Sequence, residues 1–169
     1  MHALARSTLA AHLFAAAALA APLPAGAAEG RREVSSVRTL STEQAREAAE
    51  AAFEACTRQG HRVTVSVVGR DGALLALVRD ERASTASVDS ATGKAYASVS
   101  FRAPSGNLGE AARTNPGLLQ MPRFVVLRGG LPIASGGEVV GAIGVGGAPG
   151  GDIDEACARV GLDRIGNTL

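Results

Sequence analysis

Residues 128–151 read RGGLPIASGGEVVGAIGVGGAPGG, and ten of them are glycine. Two apolar runs, residues 131–134 and 139–145, flank Ser135-Gly136-Gly137-Glu138. A Gly-Gly pair between apolar runs marks a tight hairpin, because glycine takes positive φ without strain. The stretch therefore predicts strand, turn, strand. Gly141, Gly144 and Gly146 fall inside the second strand, where a missing side chain points to a bulge, a closely packed backbone or a ligand. A phosphate loop does not fit. A GxGxxG run from Gly144 would need glycine where Pro149 stands, and no Gly-Lys-Ser/Thr follows. Asp152, Asp154 and Glu155 open the next helix, occupy the positive end of its dipole and oppose an anion there. The glycines are read as turn formers and packing contacts.

The pattern continues on both sides. Downstream, Ile153, Ala156, Cys157 and Val160 form the apolar face of a helix expected to end at Gly161, leaving residues 162–169 as a tail. Upstream, residues 124–127 predict a strand leading into the hairpin. Before it, Thr114-Asn115-Pro116-Gly117 is a turn, residues 108–113 a short helix, and residues 87–101 a longer one with Val88, Ala91, Ala95 and Val99 on its apolar face. Gly93 inside that helix costs about 1 kcal/mol against alanine, so a close neighbour is expected there. Val63, Val65 and Val67 alternate with polar residues as a half-buried strand. Asp71-Gly72 turns it into a return strand over residues 73–79, apolar on both faces and therefore placed centrally in the sheet. Ser41-Thr42-Glu43-Gln44 is a capping box opening a helix whose stripe is Ala45, Ala48, Ala49, Ala52, Phe53 and Cys56.

The first 27 residues read as a secretory signal peptide: His2 and Arg6, an alanine-rich apolar run, then Ala25-Gly26-Ala27 as a cleavage site. That implies the periplasm or secretion. Residues 28–40 read as a flexible arm and 41–169 as a single domain. No later run is long enough to cross a bilayer. A formal charge of +1 excludes the strong basic excess of a nucleic-acid binder. Hairpins outnumber βαβ patterns, so the class is α+β with a mainly antiparallel sheet.

The segments GG-x-PI from Gly129, G-x-VVGAIGV from Gly137 and GAPGG-x-x-DEACA from Gly147 resemble the GlcG/HbpS-like family, often described as haem-binding, and the resemblance covers the whole mature chain. It implies a five-stranded, profilin-like sheet with helices packed against it, a homo-oligomer, and haem or a related tetrapyrrole as a small-molecule ligand. An alternative is an enzyme or accessory acting on small organic acids, since relatives occur beside glycolate metabolism. A third is a ligand-free oligomeric partner protein. Arg113-Thr114-Asn115-Pro116-Gly117-Leu118 resembles the family's R-x-N-P-x-L segment, and a threonine near it has been linked to haem. Asp89, Lys94 and Tyr96 resemble its helix pattern of acid, lysine and aromatic. The family's GVSG strand is Gly144-Val145-Gly146-Gly147 here, without the serine hydroxyl.

The residues themselves show no catalytic device. His61 is the sole histidine after the leader and reads as a loop residue. Asp80-Glu81 and the acids at 152–155 have structural explanations. The ligand-binding set is Arg79, Lys94, Arg113, Thr114 and Asn115, with Gly129 and Gly130 from the matching segment. Arg123 and Arg128 are further cations for a carboxylate-bearing ligand. Candidate haem axial ligands are Thr114, His61 and Met121. Cys56 and Cys157 are either two buried thiols or a disulfide, which an oxidising compartment permits. A profilin-like arrangement would lay the first and last helices side by side and favour the bridge. Lack of helix cover on one face of the sheet would also drive self-association.

Overall fold

The computed structural model describes residues 35–169; the expected signal peptide and the start of the arm lie outside the described residues. Residues Ser36–Leu169 form one compact unit. The order is α1 (Thr42–Arg58), β1 (Thr64–Gly69), β2 (Leu74–Arg79), α2 (Ser87–Phe101), α3 (Ser105–Ala112), a 3-10 turn (Pro116–Gln120), β3 (Gly130–Ser135), β4 (Glu138–Gly146) and α4 (Gly151–Ile165).

Local sequence explains most of these boundaries. The capping box at the start of α1 is closed, with the Gln44 N–H donating to Ser41 Oγ and the Ser41 N–H to Gln44 Oε1, both at 3.2 Å. Just before it the chain is tied down. The Leu40 N–H donates to the Val140 carbonyl at 3.0 Å, and Arg38 donates to Ser135 Oγ at 2.6 Å. The β3–β4 hairpin turns at Gly136 and Gly137, whose φ values of 59° and 84° meet the turn's requirement for positive φ.

The sheet runs β2-β1-β4-β3, with every pair antiparallel. Register sorts the side chains. Val65 and Val67 stand beside Val145 and Ile143 on one face, and Thr64 and Ser66 stand beside Gly146 and Gly144 on the other. On the first face α1 packs against β1 and β2 while α4 packs against β4 and β3. This interface is the main core, with Val63, Val65, Leu131, Ile133, Ile143 and Ile165 buried in it. On the second face lies α2, so close that a Cβ on Gly144 would strike the Ala91 carbonyl and stand 2.7 Å from the Ala95 nitrogen. Hydroxyls rather than methyls fill this layer: Thr64 with Ser87 at 2.7 Å and Ser66 with Thr92 at 2.9 Å. The β4 glycines are thus packing residues.

Four expectations are corrected. The sheet has four strands among the described residues, not five. Residues 124–127 form no strand because the Val125 N–H donates to the carbonyl of Gly93, within α2, at 3.3 Å; this segment lies on a helix instead of beside a strand. β2 is an edge strand, with Leu74 and Leu77 51% and 39% exposed. Apolar residues on both faces led to a central placement, but α2 covers β1, β4 and β3 and leaves that side of β2 bare. Finally, α4 passes through Gly161 to Ile165. Gly161 is the contact point with α1, where a Cβ would lie 2.5 Å from the Ala48 carbonyl oxygen. Helices lie on both sheet faces, so the bare area is confined to the side of edge strand β2 that carries Leu74 and Leu77.

The side-by-side packing of α1 and α4 brings Cys56 and Cys157 together as a disulfide, with Cα atoms 5.6 Å apart and a sequence separation of 101. Closing a loop of that length stabilises by up to about 4–5 kcal/mol in the chain-entropy model. Protein from an oxidising preparation should show no free thiol when unfolded without reductant. Cys56→Ala/Cys157→Ala should lose at most that much unfolding free energy and unfold at lower urea concentration. Two titratable thiols per chain would refute the bridge.

Candidate functional site

α2 is alanine- and serine-rich, yet it carries Lys94 on its buried side. Lys94 is only 3% exposed. Its ammonium donates to Asp154 Oδ2 at 2.7 Å and to the Val145 carbonyl at 2.9 Å. Asp154, in the first turn of α4, also accepts from the Ala148 N–H at 3.1 Å. The pair therefore joins α2, the end of β4 and the start of α4. Burial raises the Asp154 carboxyl from its ordinary value, outweighing the hydrogen bond and charge of Lys94 and the Ala148 N–H. Gly129 and Gly130 wrap this pair: a Cβ on Gly129 would stand 3.0 Å from Lys94 Nζ, and one on Gly130 would strike the Lys94 carbonyl oxygen. Beside the pair opens a cleft of about 430 Å³ lined by Ser90, Arg128, Asp152 and the loop from Gly147 to Gly151.

The expected ligand-binding residues do not converge. Lys94, Gly129 and Gly130 belong to the buried pair. Arg79 ends the edge strand β2 and donates to the Ala83 carbonyl at 2.6 Å. Arg113, Thr114 and Asn115 lie exposed between α3 and the 3-10 turn. There Arg113 meets Glu110 at 3.2 Å with both side chains more than two-thirds exposed, a contact of little energetic weight. Thr114 Oγ1 donates to the Ala111 carbonyl at 3.2 Å. Met121 ends the 3-10 turn and is 40% exposed. His61 stands at the exit of α1, where its N–H donates to the Cys56 carbonyl, apart from the Arg113–Met121 segment.

That segment leads into an aromatic cluster the sequence reading did not assemble. Phe124 packs edge-on against both Tyr96 and Phe101, with ring centroids 5.7 and 5.6 Å apart. The Arg123 guanidinium lies over the Tyr96 ring, 3.9 Å from its centroid. Phe101 itself and, along the preceding segment, Leu119 and Met121 are 40–60% exposed, while Leu127, 63% exposed, lines the cleft beside Lys94 and Asp154. The two sites were legible to different degrees. Lys94 in an alanine-rich helix stood out as a cation for an anionic ligand, and its protein partner, Asp154, lies 60 residues away. The cluster's aromatics are spread from Tyr96 to Phe124 without a common period.

Removing one partner of a buried ion pair leaves an uncompensated charge and costs about 3–5 kcal/mol. Lys94→Met and Asp154→Asn should each lose stability on that scale in urea unfolding; a loss below 1 kcal/mol on that scale would mean the pair is not closed in solution. Because the folded state binds the Asp154 proton more tightly than the unfolded chain, this group contributes stability as pH falls and loses it as pH rises through its folded pKa. An NMR titration of the Asp154 carboxyl should give a midpoint above 3.8.

The whole described domain has close relatives of known structure. A double mutant of HbpS from Streptomyces reticuli is 41% identical with a TM-score of 0.75, covering 85% of this chain and 96% of that one. ORFY of Klebsiella pneumoniae is 27% identical with a TM-score of 0.74, covering 79% and 95%. PduOC, solved as a haem complex, shares the fold at 21% identity and a TM-score of 0.69, covering 75% and 95%. No curated protein matches. The family model described as "Haem degrading protein HbpS-like" matches residues 40–163, and these residues contain the whole sheet, the buried Lys94–Asp154 pair and the aromatic cluster: the chain belongs to the HbpS-like family.

Proposed function

We propose that this chain is a periplasmic or secreted protein that binds haem or a related flat tetrapyrrole, as a carrier, scavenger or sensory accessory. The observation that carries the reading is the cluster of Tyr96, Phe101 and Phe124 with the Arg123 guanidinium over the Tyr96 ring, continued in the chain by the exposed Leu119 and Met121. A flat macrocycle needs an apolar platform, and its carboxylates need cations. Family membership supports the same ligand, since the family description names haem degradation, and any such reaction begins with bound haem. The PduOC relationship, at 21% identity, supports the fold alone.

The residues present fit the group. Of the axial candidates, Met121 and Thr114 lie on the segment that carries the arginines, whereas His61 lies apart from it. A thioether is a known iron ligand, while the Thr114 hydroxyl is neutral and already engaged with Ala111. Bound haem would supply an iron centre; the chain's own residues supply the platform, the cations and a sulfur. The exposed apolar residues of the same surface also favour a homo-oligomer, with light scattering at a monomer mass as the result that would exclude it.

A second reading, a small organic acid handled in the cleft beside Lys94 and Asp154, is favoured by the lone Arg128 guanidinium on its rim. Lys94→Ala cannot test it cleanly, because that change strands the buried Asp154; Arg128→Ala is the informative variant.

Haemin titration followed at the Soret band tests the first reading. Wild type should bind with micromolar affinity, Arg113→Ala and Thr114→Ala more weakly, and Met121→Leu with a shifted Soret maximum. Wild type showing only the weak spectrum of non-specific haemin would end the haem reading. Unchanged binding in all three variants would move the site elsewhere.

A further inference from the structure

Arg123 is one of two non-glycine residues with positive φ among the described residues, at 68°. The other, Arg102 at 54°, is the left-handed C-cap of α2, an ordinary place for that conformation. Arg123 ends no helix. A left-handed backbone at a long side chain costs on the order of 1–3 kcal/mol and persists where surrounding contacts enforce it. Here the enforcing contact is a turn: the Phe124 N–H donates to the Met121 carbonyl at 3.3 Å and Pro122 precedes Arg123, which takes the third turn position, where a type II turn requires positive φ. The Arg123 carbonyl lies against Gly93, where a Cβ would stand 2.9 Å away, and the Val125 N–H donates to the Gly93 carbonyl. The absent side chain at Gly93 lets this turned segment press on the helix, while the twist at Arg123 is set by the turn itself.

The twist leaves the guanidinium over the Tyr96 ring. Tyr96 is fixed in turn by Phe124 at its side and by the Asp71-Gly72 turn, where a Cβ on Gly72 would lie 2.6 Å from the ring. Among the described residues Arg123 makes no side-chain hydrogen bond and no ion pair. Asp89 shares a hollow of about 260 Å³ with it but does not reach it. A stacked guanidinium uses its face for the ring and keeps its N–H edges in plane, the arrangement that receives a carboxylate through two parallel hydrogen bonds. Its orientation is set before any ligand arrives, which lowers the ordering cost of binding.

We propose that Arg123, stacked on Tyr96, is the anchor for a carboxylate of the bound tetrapyrrole. This rests on the haem reading and adds which residue selects the acid form of the ligand.

Haemin and haemin dimethyl ester, which lacks free carboxylates, separate the two claims. Soret titrations of both compounds would be run on wild type, Arg123→Gly, Arg123→Lys and Tyr96→Leu. Arg123→Gly is the chosen deletion because glycine accepts the positive φ, so the variant should melt no lower than wild type. Wild type should prefer haemin over the ester by roughly 10- to 100-fold, the range for a charge-assisted bidentate contact. Arg123→Gly should lose that preference while keeping the ester affinity. Arg123→Lys should retain part of it, since lysine keeps the charge without the fork. Tyr96→Leu should fall between wild type and Arg123→Gly. A preference for haemin that survives in Arg123→Gly, or equal losses for both compounds, overturns the anchor and leaves the haem reading standing. Wild type that binds neither compound overturns both.

Discussion

The ion pair between Lys94 and Asp154 constrains the arrangement around it more than any other polar contact. Neither charge reaches water, so each needs the other in place. Satisfying that need fixes α2 against the end of β4 through the Val145 carbonyl, and fixes the α4 entrance through the Ala148 N–H. Gly129 and Gly130 are glycines because the backbone entering β3 must pass beside this pair. A hydrophobic pair would fill the same volume without demanding the same geometry. Here the polar pair sets the registration of two helices on opposite sides of one sheet.

The two faces of the sheet are built on different principles. Against α1 and α4, branched aliphatic residues interdigitate in a main core whose helices are joined by the Cys56–Cys157 bridge. Against α2 the distance is set by missing side chains: glycine and alanine on β4, alanine on α2, and hydroxyls that pair across the gap. The first face supplies most of the apolar burial. The second brings a helix so near the sheet that its outer side is left to carry other chains. Residues 123–129 take that position, and the exposed aromatic cluster results.

The exposed aromatic cluster and the ion pair are therefore consequences of one feature, the thinness of the α2 layer. Gly93 allows Arg123 and Val125 to sit on α2 from outside, as Gly144 allows α2 to sit on β4 from inside. The small residues of α2 serve both contacts, which accounts for a helix so weakly amphipathic in sequence.

Local chemistry determined the hairpins, the capped first helix, the class of fold and the family, because each rests on residues within a few positions of one another. Ser41 with Gln44, and Gly136 with Gly137, need no distant partner to be read. Gly93 and the β4 glycines were legible as places of close approach, though not as to what approached them. The tertiary structure decided the rest. β2 became an edge strand because β1, its hairpin partner, pairs on its other side with the distant β4. Residues 124–127 lost their strand because Gly93 offered a carbonyl first. Gly161 failed to stop α4 because α1 needed its missing side chain. Lys94 pairs with Asp154, a counter-charge that lies 60 residues away in the turn that opens α4. Pairings over such separations follow from which faces meet, and only the packed sheet and helices fix that.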